Sequence, residues 1–322
     1  MNDRTGRKLW LDGLRAIAML LVIFGHLMPG RTALFVFTSP VKLPLFFAIS
    51  GYLFRDDRTA GEFFAGLLRR LLVPWLLAVL ALTLARVPSR GVAAVPGMLR
   101  DAVAEPTLWY IVCCAVAEVF WYGLRRLCPG TIGTVVGAAL LSAAGAALAR
   151  LNALNALMIN RALIAQAWLL LGFLFRRNEA RLRELPWAAL AVATAGYVAL
   201  AFVSLAVWPG RYMDVHLNRY YNLPYCMLMI WLGCATLLAA GSKLEHAPRA
   251  LAFVGQNTLV YYMLHNFVIK AIEWALKRVG LNLTDVPRAL VLTLLACLAC
   301  GAAALVINRF LPELAGRRRQ KK

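Results

Sequence analysis

Charge is what this chain has least of. Only 16% of its 322 residues are Asp, Glu, Lys or Arg, where a soluble domain carries about a quarter. Acid is the scarcer sign, with 15 Asp and Glu against 35 Lys and Arg, and there are only four His. So thin a polar complement excludes a water-soluble globule. No Ser/Gly-rich or Pro-rich linker divides the chain and no repeat of fixed period stands out, which excludes a string of separate domains and predicts one domain over residues 1–322. Metal ligands are missing as well. Of the seven cysteines, Cys297 and Cys300 lie three apart in an Ala/Leu run without further ligands beside them, so the cysteines read as small buried hydrophobes and no metal is expected.

What is there is apolar: 61% of residues are hydrophobic and the mean hydropathy is +0.69. Apolar runs recur at 13–28, 40–54, 71–87, 106–124, 131–149, 158–175, 186–208, 221–240, 251–276 and 288–311, each near the ~20 residues a spanning helix needs. The fold class is therefore all-α, a polytopic integral membrane protein of about ten transmembrane helices. The net charge of +20 would suggest nucleic acid in a soluble protein. Here the basic residues sit mainly in short connections, where they orient helices and meet anionic headgroups, so membrane lipids are the expected partner and nucleic acid is not. With about twenty Lys and Arg on one side and about twelve on the other, the bias places both termini in the cytoplasm. The apolar stretch after the basic N-terminus has no small-x-small cleavage site behind it and is expected to be retained. The longest outer connection, WPGRYMDVHLNRY from Trp208 to Tyr220, mixes aromatic, basic and amide residues suited to a sugar or a headgroup.

Polar side chains in hydrocarbon cost at least about 2.5–3.5 kcal/mol each, so those retained there need a reason. This filter selects Asp12, Arg15, His26, Ser50, Glu118, His265 with Asn266, and the pair Lys270 and Glu273. Arg15 and His26 are eleven residues apart, about 16 Å of helical rise, and eleven steps of about 100° return both to nearly the same face. Arg15 is read either as an anchor paired with Asp12 at i,i+3 or as an anion site at the cytoplasmic face. His26 and His265 sit at matching depths on different helices and could meet. Glu118 needs a partner or a proton: an ion pair with an Arg from another helix, or a task in orienting a histidine. Lys270 and Glu273 are expected to neutralise each other. Arg69 and Arg70 open the third run as positive-inside signals or as a phosphate clamp.

Several blocks carry a resemblance. LDGLRAIAMLLVIFGH (Leu11 to His26) is similar to the first-helix signature of membrane acyltransferase family 3, an Arg, ten residues, then a His. LPLFFAISGYLFR, RRLLVPW, EPTLWYIVCC and VGQNTLVYYMLHNFVI follow in family order, closest in flavour to the fucose O-acetylase branch of sugar O-acetyltransferases. The resemblance implies a multi-pass enzyme of the inner membrane that moves an acyl group, usually acetyl from acetyl-CoA, onto a hydroxyl of an extracytoplasmic or lipid-linked glycan. The family's essential Arg and His fall on Arg15 and His26. Only a short basic tail, about 312–322, follows the tenth run. The extra hydrolase-like domain of some relatives is thus not expected, and delivery could need a partner protein.

Residues and resemblance meet in one scheme. The CoA phosphates would collect at Arg15, Arg69 and Arg70, and the extended pantetheine arm would carry the thioester up to His26. The imidazole would act there as general base or as an acyl carrier, in either case as the neutral ring. Glu118, His265, Ser50, Asn266 or Tyr262 would orient the ring or donate to the developing oxyanion. The competing reading is a transporter or flippase without acyl transfer, for which inverted repeats and broken helices would speak.

Overall fold

The computed structural model describes residues 8–27, 33–104, 108–244, 246–278 and 285–317. Arg4, Arg7, Arg31, the Glu105, Pro106 and Thr107 that open the EPTLWYIVCC block, and the tail from Arg318 onward lie outside the described residues. In chain order the helices are α1 (Leu9–Leu27), α2 (Ala33–Lys42), α3 (Pro44–Leu53), α4 (Ala60–Leu67), α5 (Val73–Arg90), α6 (Val95–Ala104), α7 (Trp109–Leu127) and α8 (Thr131–Arg150). They continue with α9 (Ile159–Ile164), α10 (Gln166–Arg177), α11 (Glu179–Glu184), α12 (Trp187–Val207), α13 (Leu223–Leu244), α14 (Arg249–Gln256), α15 (Thr258–Arg278) and α16 (Asp285–Phe310). Among the described residues there is no strand, only an isolated antiparallel bridge between Asp214 and Arg219.

Seven segments are long and apolar enough to cross a membrane, or eight if α9 and α10, bent by 47° at their junction, form one broken span. Of the ten expected runs, 106–124 and 251–276 fall outside that set. The first is α7, and the second is divided at Asn257 into α14 and α15. These are the helices that carry Glu118 and His265. The exposed faces show the membrane habit directly. On α16, Leu290, Leu294, Leu298 and Leu305 stand 57–63% exposed, while Ala289, Leu292, Ala296, Cys300 and Ala304 are fully buried. Such a helix turns its large aliphatics outward and packs through small residues, as lipid-facing helices do.

The helices gather into two compact units, one of residues 1–53 and 171–303, the other of 54–170 and 304–322. In the first, α1 is the central helix and packs on α2, α3, α13, α14 and α15. The approach of α14 is set by glycine: a Cβ on Gly255 would lie 1.8 Å from the carbonyl oxygen of Asp12. Gly172 of α10 is equally committed, since its Cβ would fall 1.7 Å from the Ala48 carbonyl on α3. At the N-terminal end of α1, Lys8 and the Tyr52 hydroxyl both donate to the Glu179 carboxylate, at 2.9 and 2.7 Å.

The second unit begins with a capping box on α4, in which Glu62 N–H donates to Thr59 Oγ1 (3.3 Å) and Thr59 N–H to the Glu62 carboxylate (2.9 Å). A π-helical turn over Leu68–Leu72 follows. Pro74 lacks an N–H, so the helix cannot close its usual i→i+4 bond to Arg70. The widened turn absorbs that loss, with Val73 N–H reaching back to the Leu68 carbonyl. Gly316, at φ +67°, brings the end of the chain within van der Waals reach of the freed Arg70 carbonyl. Phe63, Leu67 and Ala115 form this unit's buried cluster, and the Phe63 ring stacks on Tyr122 at 4.3 Å.

The glycine contacts carry a prediction. Gly255→Ala must push α14 off the α1 backbone and should cost about 1–3 kcal/mol of stability. Gly196→Ala, whose Cβ would meet only Leu232 Cδ2 at 3.7 Å, should be neutral. Thermal unfolding of the two variants in detergent checks this, and equal melting temperatures would contradict it.

Candidate functional site

α1 is one unbroken helix from Leu9 to Leu27, so the eleven-residue spacing of Arg15 and His26 does place them on one face, about 16 Å apart along the axis. Near its start, Asp12 is almost fully buried, with 1% side-chain exposure, and Arg15 Nη1 donates to its Oδ1 at 3.1 Å. Gln256 Nε2 from α14 approaches the other carboxylate oxygen at 3.4 Å. The i,i+3 pairing expected for Arg15 is therefore present, and its guanidinium keeps 26% exposure.

At the other end His26 lies in the last turn of α1 with its side chain exposed. The structure brings His265 to it: the two rings are 4.9 Å apart between centroids, tilted by 46°. His265 is buried on α15, and its Nδ1 faces the carbonyl oxygens of Tyr261 (3.1 Å) and Tyr262 (2.8 Å). Carbonyl oxygens only accept, so Nδ1 carries the proton and Nε2 of the neutral ring is a bare acceptor. That Nε2 has no hydrogen-bond partner among the described residues. Asn257, the buried pivot between α14 and α15, holds α15 in register through Nδ2 to the Phe253 carbonyl at 2.7 Å and its own carbonyl to Tyr261 N–H at 3.1 Å. The break in the run at 251–276 is thus the joint that aims His265.

Two residues beside His26 escaped functional reading in the sequence. Lys42 ends α2. A Cβ on Gly25 would lie 2.8 Å from its Nζ, so the ammonium rests against α1 one residue before His26. The same Nζ sits 4.0 Å over the Phe35 ring. Lys42 and His216, the latter from the connection after α12, are both within electrostatic range of His26. The signal that could have pointed to Lys42 is Gly25, a glycine inside an apolar helix that makes room for a neighbour.

The remaining candidates lie elsewhere. Ser50 is half-buried on α3 and Asn266 exposed on α15, while the Tyr262 ring stands 5.8 Å from that of His265. Glu273 does not pair with Lys270 as expected; its carboxylate accepts from Arg288 of α16. Arg69, Arg70 and Glu118 belong to the second unit. There Arg70 Nη2 donates to the buried Glu118 carboxylate at 2.9 Å and Arg70 Nε to the Gly66 carbonyl at 3.3 Å. Arg125 in the same unit is held bidentately by Asp56 at 2.9 and 3.0 Å, with Nη1 on the Pro129 carbonyl at 2.9 Å. It is a structural cation.

A family comparison decides what these features belong to. The model of a family described as an acyltransferase domain, acyltransferase 3, matches residues 8–306. The chain belongs to that family. Neither curated proteins nor solved structures gave a match. The matched stretch includes α1 with Arg15 and His26, and α15 with His265. The fold is that of a helical, multi-pass membrane acyltransferase.

For this acyltransferase the Arg70–Glu118 pair separates structure from chemistry. Arg70→Ala strands a buried carboxylate and should lower stability by about 1–2 kcal/mol, discounted for the exposure of Arg70. The double variant Arg70→Ala/Glu118→Gln should regain most of that. Melting curves measure the first effect, and acyl-transfer rates of the single variant Glu118→Gln, which leaves Arg70 in place, show whether Glu118 has any task beyond pairing.

Proposed function

We propose that the protein moves an acetyl group from acetyl-CoA, taken from the cytoplasmic side of the inner membrane, onto a hydroxyl of an extracytoplasmic or lipid-linked glycan. The observation that carries this reading is the arrangement on α1: a partly exposed guanidinium near one end and, about three turns along the same face, an accessible imidazole in contact with a second one. A bilayer-spanning transferase needs such a span, because its donor and acceptor arrive from opposite sides.

In the direct form of the reaction, His26 accepts the proton of the sugar hydroxyl as the oxygen attacks the thioester carbonyl. The tetrahedral oxyanion then collapses, the C–S bond breaks, and the imidazolium returns the proton to the CoA sulfur. In the relay form, the imidazole nitrogen attacks the thioester carbonyl, the C–S bond breaks and the sulfur leaves as CoA thiol with the ring's N–H proton; the sugar oxygen then attacks the acetyl carbonyl, the C–N bond breaks, and the hydroxyl proton passes to the freed imidazole. Lys42, at the side of His26, offers positive charge to the developing oxyanion. His265 is a positioning residue: its Nδ1–H is committed to two backbone carbonyls, and the bare Nε2 is presented next to the His26 ring. Arg15, oriented by Asp12, binds donor phosphate. Ser50, half-buried on α3, is a further group offered to the donor.

The experiment supplies labelled acetyl-CoA to the cytoplasmic face of membrane vesicles and follows label into glycan. His26→Ala should reduce transfer by about 10²–10⁴-fold. Arg15→Ala should raise the donor KM about tenfold with a smaller effect on kcat. Full transfer by a well-expressed His26→Ala protein would remove the assignment. Movement of intact glycan without label would establish a flippase instead.

A further inference from the structure

The connection between α12 and α13 forms a cavity of about 380 Å³, lined by residues 210–212 and 218–221. That volume is in the lower part of the range for small-molecule sites, about 300–1,000 Å³. Its frame is local: Asp214 and Arg219 exchange both backbone hydrogen bonds at 2.9 Å, and Leu217 N–H donates to Asp214 Oδ1 at 3.0 Å. This hairpin holds Asn218 at φ +52°. Both the amide oxygen and the amide nitrogen of Asn218 are buried, and neither has a hydrogen-bond partner among the described residues. A buried amide left unmatched costs about 1–3 kcal/mol, which a ligand pairing with it returns.

The other walls give the ligand's chemistry. Arg211 and Arg219 are exposed cations lining the cavity, and two guanidinium forks suit a carboxylate or a phosphate. Tyr212 and Tyr221 offer flat rings, the latter steadied by Ser204 Oγ donating to its hydroxyl at 2.8 Å. A lipid phosphate would need only the cations. An amide that both donates and accepts matches the adjacent hydroxyls of a sugar, and phenol rings match its C–H faces. The cavity also adjoins the histidine pair: the Tyr212 ring packs edge-on against Phe35 at 4.8 Å, and Phe35 lies under the Lys42 ammonium that rests beside His26.

Building on the transferase reading, we infer that this cavity is the acceptor-sugar site and that it selects a saccharide carrying an anionic group. Its contents then decide which hydroxyl reaches His26.

The test uses the full chain in phosphatidylcholine nanodiscs without any acyl donor, titrated calorimetrically with cellobiouronic acid and with the neutral isostere cellobiose. The acidic disaccharide should bind about tenfold tighter. Arg211→Gln/Arg219→Gln should erase that preference, and Arg211→Lys/Arg219→Lys should restore part of it, which excludes a folding defect as the cause. Asn218→Gly, which tolerates the positive φ, should weaken both sugars. Equal binding of the two sugars by the parent, no binding of either, or a preference that survives loss of both arginines would overturn the inference. So would loss of sugar binding when phosphatidylglycerol replaces phosphatidylcholine, since the site would then belong to headgroups. Because no donor is present, the expected binding together with failed acetyl transfer in vesicles would sink the transferase reading and leave the sugar site standing. Transfer without the expected binding would do the reverse.

Discussion

A polar side chain held in apolar surroundings must be matched by another polar group, and most of the specific geometry of this protein follows from that demand. Buried Asp12 is met by Arg15 and approached by Gln256. His265 is met by two carbonyls of its own helix, Glu118 by Arg70, and Arg125 by Asp56. Aliphatic packing alone is permissive in a bilayer, since lipid tails compete for the same surface. The matched polar pairs are selective about which helix faces which, and they are where register is specified.

α1 shows how the demand is turned to use. Its two ends carry different chemistry, and its flanks carry glycine: Gly13 beside Ala247, and Gly25 beside Lys42. Gly255 of α14 lets that helix lie directly on the Asp12 backbone. Close approach of this kind brings Gln256 to the carboxylate and, through the Asn257 pivot, sets the direction of α15. Packing at one end of α1 and placement of a histidine at the other are thus two consequences of one crossing.

The same logic orders the proposed chemistry. A group with all its hydrogen bonds satisfied, such as Arg125, holds structure and is unavailable for anything else. Nε2 of His265 and the Asn218 amide have unused capacity among the described residues, and the proposed chemistry draws on both. Both lie in the first unit, the second within the hairpin whose neighbour Tyr212 contacts Phe35 beside Lys42. The two readings meet at Lys42 and His26, while the sugar-site reading adds the Asn218 amide and the two arginines of the hairpin.

The fold class was legible because it depends on composition. Too few charges to cover a soluble surface and apolar runs near bilayer length leave helical spans as the only way to satisfy the backbone. Pattern also revealed the shared face of Arg15 and His26, a property of one continuous helix, and the blocks that resemble the acyltransferase family. The number of apolar runs was a poorer guide, since α7 and α15 carry too many polar residues to count by hydropathy, and a single buried Asn257 splits the run at 251–276. Pairing between helices was legible only in outline: an Arg from another helix was expected for Glu118, and Arg70 supplies it, but the partners themselves were not identified. That His265 meets His26, that Glu273 takes Arg288 in place of Lys270, that Lys42 rests on Gly25, and that a hairpin shelters Asn218 each depend on distances between residues far apart in the chain. Periodicity reports the direction in which a side chain leaves its own helix; only tertiary structure brings a second helix to that face, because close approach is decided by small residues and polar matches summed over the whole bundle.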